Sequence, residues 1–278
     1  AVRCRSLLGL IAGERIREEL CKLLCGDFAD VMLNNFTSIF AVFLPEILDF
    51  VSFSKNNPNQ SNLWEAAVKS IANVPADPIL RLTMLLHDLG KPSCFTVDMQ
   101  GIGHFYGHAE KSAAMAKHIL HRLKFDNASI ACITQLICMH ETAILPTEIC
   151  VRRLLNRLGT EQFSRLLEVK QADILSQASD KQTDQLQELK KAKSIQEKVL
   201  KEKQCFQLQD LAVNGRDLLN AGFVQGVHLG QALQFLLRMV IDGKLENRKD
   251  CLIAHCIKEG WIAHEHFQTK CDADRNRH

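Results

Sequence analysis

The chain has 278 residues, of which 46% are hydrophobic and 24% are charged, and its formal net charge is +2. These values are ordinary for a soluble globular protein, and so small a net charge does not by itself indicate a nucleic-acid-binding protein. The longest apolar run, residues 36–44, is far shorter than the ~20 residues of a membrane-spanning helix, so the sequence excludes a membrane span. The 11 cysteines have no framework spacing and indicate reduced thiols in a cytoplasmic protein.

Helical periodicity runs through almost the whole chain, and no clear alternating strand is evident. The sequence predicts an amphipathic helix at 14–24, a more buried one at 31–44 and, after the polar loop 55–61, a helix that Asp77 caps and Pro78 begins. Residues 92–107 predict a loop. Further helices are predicted at about 108–124, 128–140, 147–158, 160–173, 180–203, 227–242 and 247–258.

These elements predict an all-α protein, an elongated array of many helices. We expect neck and body helices at 1–54, a central helical subdomain at 55–178 and a C-terminal body and tail subdomain at 179–278. The boundaries fall in the polar, proline-containing loop near residue 55 and near the start of the polar helix that begins at about 180.

The most informative motif is HDLGKP at residues 87–92, which directly follows the apolar run 80–86. A buried helix would deliver His87 and Asp88 side by side into a pocket. An imidazole nitrogen beside a carboxylate oxygen suits a divalent cation. The motif resembles the HD family of metal-dependent phosphohydrolases, in which a further histidine comes from an earlier helix, whereas this chain has no histidine before His87.

Six colinear segments together resemble the C-terminal region of bacterial CCA-adding enzymes, the tRNA nucleotidyltransferases of the poly(A) polymerase family. The segments are GERIREELCKLLCG at 13–26, the HD-type stretch at 81–125, VRRLLNRLG at 151–159, VKQADILSQ at 169–177, DLAVNGRDLL at 210–219 and DGKLENRKDCL at 242–252. The resemblance covers nearly the whole chain and makes the central subdomain an HD-type one.

The polymerase head of that family carries Gly-Ser followed by an Asp-x-Asp pair that holds two metal ions for phosphoryl transfer. Nothing here matches it, and Asp272 and Asp274 lack the Gly-Ser context. The resemblance implies that this chain begins after the catalytic half and adds no nucleotide without an N-terminal polymerase head, present in cis or in trans.

The resemblance also places the missing first metal histidine at Ala66. The retained candidate metal ligands are His87, Asp88, Asp173, His108 and His140, with Asp88 as the candidate catalytic residue and Mg, Mn or Ni as the candidate metal. A degenerate pocket that binds no metal is the alternative. For His108, as for His104, a loop histidine hydrogen-bonded to the backbone is the other interpretation, and for His140 a helix cap.

Basic residues on two predicted helices are candidate RNA contacts. Residues 111–124 contain no acidic side chain, and their basic residues lie opposite an apolar arc. The candidates are Lys111, Lys117, Arg122, Lys124, Arg152, Arg153 and Arg157. A solvated helix face is the alternative. The leading hypothesis is the tRNA-binding body of a CCA-adding enzyme; the second is an HD phosphohydrolase acting on 2′,3′-cyclic or terminal phosphates.

Overall fold

The structure is a computed structural model that describes residues 2–56, 62–177, 182–223 and 226–262. It divides into two compact units, Ala1–Ala143 with Thr160–Leu189, and Ile144–Gly159 with Lys190–His278. The predicted all-α class is confirmed, because the regular secondary structure of the described chain consists of helices and one short hairpin. The predicted division at residues 54/55 and 178/179 stays a prediction; residues 54 and 55 lie within a helix, Ile47–Asn56, and residues 178–181 lie outside the described ranges.

The first unit begins with a 3-10 helix, Val2–Leu10, and the α-helices follow in chain order. They are α1 (Gly13–Leu24), α2 (Ala29–Asn35), α3 (Thr37–Phe40), α4 (Ile47–Asn56), α5 (Leu63–Ala72), α6 (Pro78–Leu86), α7 (Lys91–Cys94), α8 (His108–Arg122), α9 (Asn127–Met139) and α11 (Thr160–Ser176), with α10 (Glu148–Leu158) in the second unit. The helix α12 (Gln182–Lys201) contributes residues to both units.

The helix α6 begins as the sequence predicts. Asp77 accepts a hydrogen bond from the Leu80 backbone N–H at 3.0 Å, and Pro78 occupies the first turn. Along α6, Leu82, Met84, Leu85 and Leu86 are fully buried, and the helix packs against α5, α9 and α11. This apolar anchoring fixes the direction in which the chain leaves α6, just before His87.

The predicted buried helix at 31–44 is two short helices instead. Phe36 separates α2 from α3 with a non-helical backbone (φ −121°, ψ 25°). The Thr37 hydroxyl donates to the Leu33 carbonyl oxygen at 2.8 Å. A side chain that competes for backbone groups in this way favours a break, and the apolar pattern alone did not indicate it.

The predicted loop at 92–107 contains α7 and a two-stranded antiparallel hairpin. The strands are β1 (Thr96–Val97) and β2 (Gly103–His104), and Thr96 pairs with His104. Two-residue strands are too short to give an alternating pattern, so periodicity does not detect them.

The second unit contains α10, the end of α12 and three later α-helices. These are α13 (Gly215–Asn220), α14 (Val227–Ile241) and α15 (Lys249–Lys258), preceded by a 3-10 helix at Leu208–Asp210. Its core includes Val213, Leu218, Leu236, Leu252 and Cys256. No helix of the described chain is both long enough and apolar enough to cross a membrane.

Candidate metal centre and basic surfaces

The centre forms where α6 ends. His87 is the C-cap of α6 and Asp88 follows it, with exposed fractions of 1% and 4%. Gly90, two residues after Asp88, allows α8 to approach closely, since it has no Cβ to meet the backbone of α8, and its N–H donates to the Ser112 hydroxyl at 2.9 Å. Two polar side chains are therefore held in the interior of the first unit, beside the start of α8.

Three other predicted ligands converge on this pair from three elements. His108 is the first residue of α8, His140 is the C-cap of α9, and Asp173 lies in α11. Asp88 Oδ1 lies 3.2 Å from His108 Nε2 and 3.8 Å from His140 Nε2. His87 Nε2 lies 3.2 Å from Asp88 Oδ2 and 3.5 Å from Asp173 Oδ1. The structure thus brings together all five residues that the sequence singled out.

The three imidazoles share one hydrogen-bonding pattern. Each Nδ1 faces a backbone carbonyl oxygen, His87 that of Met84 at 2.8 Å, His108 that of Phe105 at 2.9 Å and His140 that of Ile137 at 2.6 Å. Because a carbonyl only accepts, each Nδ1 carries the proton, and a neutral ring then presents its bare Nε2 to the centre. Histidines that ligate metals are commonly fixed in this way.

Two buried atoms of the centre lack a hydrogen-bond partner. His87 Nε2 and Asp88 Oδ1 have charged neighbours within reach but no contact with hydrogen-bond geometry. Donor atoms of His87, Asp88 and His140 all lie within 4.8 Å of one another, and so do those of His108, His140 and Glu141. Buried polar atoms without partners are costly, and a cation would satisfy both atoms at once. The residues present therefore fit a metal ion.

The electrostatics of the centre are strongly polarised. Burial disfavours a charged His87, but the carboxylates of Asp88 and Asp173 outweigh burial and raise the pKa of His87 to about 10. Burial opposes ionisation of Asp88, but His87 and Lys91 hold the pKa of Asp88 well below its usual range. Burial opposes ionisation of Asp173 as well, but the neighbouring His87 lowers the pKa of Asp173. Burial, reinforced by the charge of His87, lowers the pKa of His140 to about 4.

Three contributing residues were missed by the sequence reasoning. Lys91 Nζ lies 2.6 Å from Asp88 Oδ2, Lys170 Nζ donates to the His140 carbonyl oxygen at 2.6 Å, and Glu141 Oε2 lies 3.5 Å from His108 Nδ1. A signal was available only for Lys91, which follows Asp88 by three residues; the contact of Lys170 with His140 depends on the packing of helices distant in sequence.

Two other predicted positions have different surroundings. His104 lies on β2 and pairs with Asp98, Nε2 to Oδ2 at 2.8 Å, so its charge partner is a carboxylate of the hairpin. Ala66 lies on α5, which packs against α6 and α11, and its methyl group supplies no donor atom. Residue 66 therefore supplies no metal ligand in this chain.

The predicted basic helix is α8 with the two residues after it. Lys111, Lys117 and Lys124 are exposed, and within the described chain no carboxylate pairs with any of them. We call these three lysines, with the exposed His118 and His121, the basic face of α8.

Arg122 has a different role from the basic face. Its guanidinium binds Glu46 through two hydrogen bonds of 2.8 Å and donates to the Phe43 carbonyl oxygen at 3.2 Å. Arg17 of α1 donates to the Lys124 carbonyl oxygen, and its guanidinium lies 5.8 Å from the centre of the Phe125 ring. We call these contacts between residues 2–50 and residues 122–125 the junction.

The second predicted basic cluster lies on α10 in the second unit. Arg153 pairs with Asp242, Nη2 to Oδ1 at 2.8 Å, and Arg152 donates to the Val240 carbonyl oxygen at 3.3 Å. Arg157 is exposed. Arg152 and Arg153 thus contact the end of α14, and Arg157 is an exposed member of the cluster with no carboxylate partner among the described residues.

Two family models match the chain. The model described as "tRNA nucleotidyltransferase domain 2 putative" matches residues 98–256, and the model described as "Probable RNA and SrmB- binding site of polymerase A" matches residues 2–50. The second match covers α1 to α3 and the residues of the junction that hold Arg122.

Two curated bacterial proteins are similar to the chain. A CC-adding tRNA nucleotidyltransferase of Thermus thermophilus is 27% identical over 250 residues, which is 87% of this chain and 56% of the relative. An A-adding tRNA nucleotidyltransferase of Deinococcus radiodurans is 28% identical over 154 residues, which is 52% of this chain and 36% of the relative. The chain therefore spans about half of the length of the first relative and about a third of the length of the second. Because the first family model covers more than half of the chain, this protein belongs to the tRNA nucleotidyltransferase family.

Proposed function

We propose that this chain is the tRNA-binding body of a cytoplasmic CCA-adding enzyme and serves maturation of the tRNA 3′ end. The observation that carries the proposal is the junction. It fastens residues 2–50, which match the RNA-binding family model, to the end of α8, whose exposed lysines have no carboxylate partners among the described residues. Two independent indications of RNA binding therefore meet on one surface of the first unit.

The chemistry of this surface suits a phosphate backbone. Lysine ammonium groups bind phosphates as point charges and do not read base edges. A protein that accepts every tRNA needs contacts of this kind, because A-form helices are recognised mainly through their shape, phosphates and 2′-hydroxyls. Of the seven predicted RNA residues, Lys111, Lys117, Lys124 and Arg157 are exposed and have no carboxylate partner among the described residues, whereas Arg122 and Arg153 are paired. We propose these four as the RNA contacts.

Nucleotidyl transfer belongs, in this proposal, to a polymerase head with the Gly-Ser and Asp-x-Asp residues that the printed sequence lacks. The head would act in the same polypeptide or as a separate chain. The described body would hold the tRNA while the head extends its 3′ end.

The proposal is tested by tRNA binding between about 50 and 200 mM salt, first with Mn²⁺ and then with EDTA. We expect affinity to fall steeply with salt, because bound phosphates release counterions, and to be the same in EDTA. Replacing Lys111, Lys117 and Lys124 together with alanine should lower the slope of log K against log salt by about 2 to 3.

The matched control replaces Lys69, Lys201 and Lys258, three exposed lysines outside the basic face, and removes the same charge. Equal losses of tRNA affinity and salt slope in both triple variants would show that only the net charge matters, and not the position of the lysines. No salt-dependent tRNA binding by the unaltered chain would contradict the proposed function.

A second function, hydrolysis of 2′,3′-cyclic or terminal phosphates, is favoured by the partnerless His87 Nε2 and Asp88 Oδ1. His87, Asp88, His108 and His140 would hold a divalent ion, with Asp173 beside His87. A donor set rich in imidazole suits Mn²⁺ or Ni²⁺ better than Mg²⁺. When bound, such an ion lowers the pKa of a water ligand and polarises a phosphoryl oxygen.

The second function is tested by phosphate release from 2′,3′-cyclic nucleotides with added Mn²⁺ or Ni²⁺. Asp88→Asn should abolish release, while Asp98→Asn, in the hairpin pair with His104, should leave it intact. Release that survives Asp88→Asn would exclude this centre as its source.

A further inference from the structure

Two lysines have a backbone conformation that favours glycine. Lys124 has φ 59° and Lys203 has φ 51°, in the left-handed region that L-residues with a Cβ rarely adopt. Lys124 follows the end of α8, where its N–H donates to the His121 carbonyl oxygen and the Phe125 N–H donates to the Leu120 carbonyl oxygen, both at 3.0 Å. Glycine is the usual residue at this point of such a helix end.

The backbone of Lys124 is held in place by the segment that matches the RNA-binding family model. Arg17 donates to the Lys124 carbonyl oxygen. Gly13 allows α1 to approach this helix end closely, because a Cβ at residue 13 would lie 2.6 Å from the Arg122 carbonyl oxygen, whereas Lys124 Cγ, at 3.4 Å, would be in ordinary contact. The root of the lysine side chain is thus fixed, while its ammonium group is exposed.

Among the described residues, no carboxylate near Lys124 forms an ion pair with it. Asp126 is occupied as the N-cap of α9, where it accepts from the Ser129 N–H at 2.9 Å and from the Ser129 hydroxyl at 2.6 Å. On α1, Glu18 lies 3.9 Å from Arg17, and Glu14 is exposed in the first turn. On the α8 side, residues 111–124 contain no carboxylate.

We propose that Lys124 is a fixed contact for an RNA backbone phosphate, and that its left-handed backbone persists because glycine supplies no ammonium group. Residues in sparsely populated backbone regions concentrate where a site needs them. Arg17 and Gly13 are positioning residues, since they contact the backbone at the end of α8 that holds Lys124. The inference rests on the proposed function, because it names the contact through which tRNA is held.

The test measures tRNA affinity over a salt series and the melting temperature Tm for Lys124→Gly, Lys124→Asn and Lys124→Arg. Glycine and asparagine both accept the left-handed region. We expect Lys124→Gly to raise Tm by about 2–4 °C, to weaken tRNA binding about tenfold at 0.1 M salt and to lower the salt slope by about 1. Lys124→Arg should keep both the affinity and Tm of the unaltered chain.

Lys203→Gly calibrates the gain in Tm that backbone relief gives at the same kind of helix end. A Lys124→Gly or Lys124→Asn variant that melts later but binds tRNA with unchanged affinity and slope would overturn the inference while leaving tRNA binding in place. Failure of the unaltered chain to bind tRNA would overturn the proposed function itself.

Discussion

His108 Nε2 and His140 Nε2 lie 3.3 Å apart inside the first unit. Neither nitrogen has a proton to donate while the ring is neutral, because each Nδ1 proton is directed at a backbone carbonyl oxygen. Two lone pairs at this distance repel each other unless a proton or a cation lies between them. A cation between the two nitrogens would remove this repulsion, and the carboxylate of Asp88 beside them would favour such a cation.

The first prediction concerns metal affinity. If His108 and His140 take the place of the ligand absent at Ala66, then His108→Gln and His140→Gln should each lower affinity for Mn²⁺ or Ni²⁺. The loss should exceed the ~10–100-fold that removal of a supporting residue costs. Titration calorimetry on EDTA-treated protein measures it. His104→Gln removes a histidine whose partner is Asp98 and should bind metal normally; equal losses in all three variants would contradict the assignment.

The second prediction is a stability optimum near neutral pH for the metal-free protein. The pKa of His87 is raised to about 10, so its stabilisation is full below the unfolded-state pKa of about 6.5 and is lost as pH rises toward 10. The pKa of His140 is lowered to about 4, so the unfolded chain binds more protons between about 4 and 6.5, and stability falls as the solution is acidified through that range.

Urea midpoints from pH 4 to pH 10 measure this optimum. His87→Gln should flatten the alkaline limb and also weaken the acid limb, because the charge of His87 adds to burial in lowering the pKa of His140. His140→Gln should flatten the acid limb and leave the alkaline limb in place. An alkaline limb that persists in His87→Gln would show that another group titrates there.

The third prediction separates Arg122 from the basic face of α8. Its side chain is 43% exposed and that of Glu46 is 21% exposed, so solvent weakens the pair, but the geometry is bidentate. A double-mutant cycle of Arg122→Gln with Glu46→Gln should give a coupling of about 0.5–1.5 kcal/mol. Arg122→Gln should lower stability and keep the salt slope of tRNA binding. Lys117→Ala should keep stability and lower the salt slope. A slope lowered equally by both variants would return Arg122 to the RNA contacts.

The sequence could predict which candidate ligands come together at the centre, but not which residues pair with Arg122 and Arg153. His87 and Asp88 are adjacent, and their position after an apolar run already places them at a buried helix end. The distance of Asp173 from that pair depends on how α11 packs against α6, which periodicity does not encode. Arg122 and Glu46 are 76 residues apart, so a helical wheel showed only that Arg122 faces away from the core. Charge on an exposed face is ambiguous between solvent, RNA and a carboxylate of another helix.

The fourth prediction is that Gly90 fixes the approach of α8 to the centre. Its φ of −77° is ordinary, so alanine would be free of backbone strain there. A Cβ, however, would lie 2.8 Å from both the His108 carbonyl oxygen and the Ser112 backbone nitrogen. Because those atoms belong to the backbone of α8, the clash is relieved only by moving the helix that carries His108.

Gly90→Ala should therefore lower the free energy of unfolding by about 1–3 kcal/mol and weaken metal binding along with it. The control is Gly9→Ala, where no atom lies within 4 Å of the added methyl group and stability should be nearly unchanged. Urea unfolding and metal titration of both variants measure the two effects. A Gly90→Ala variant as stable as the unaltered chain, with unchanged metal affinity, would mean that the start of α8 can move without disturbing His108.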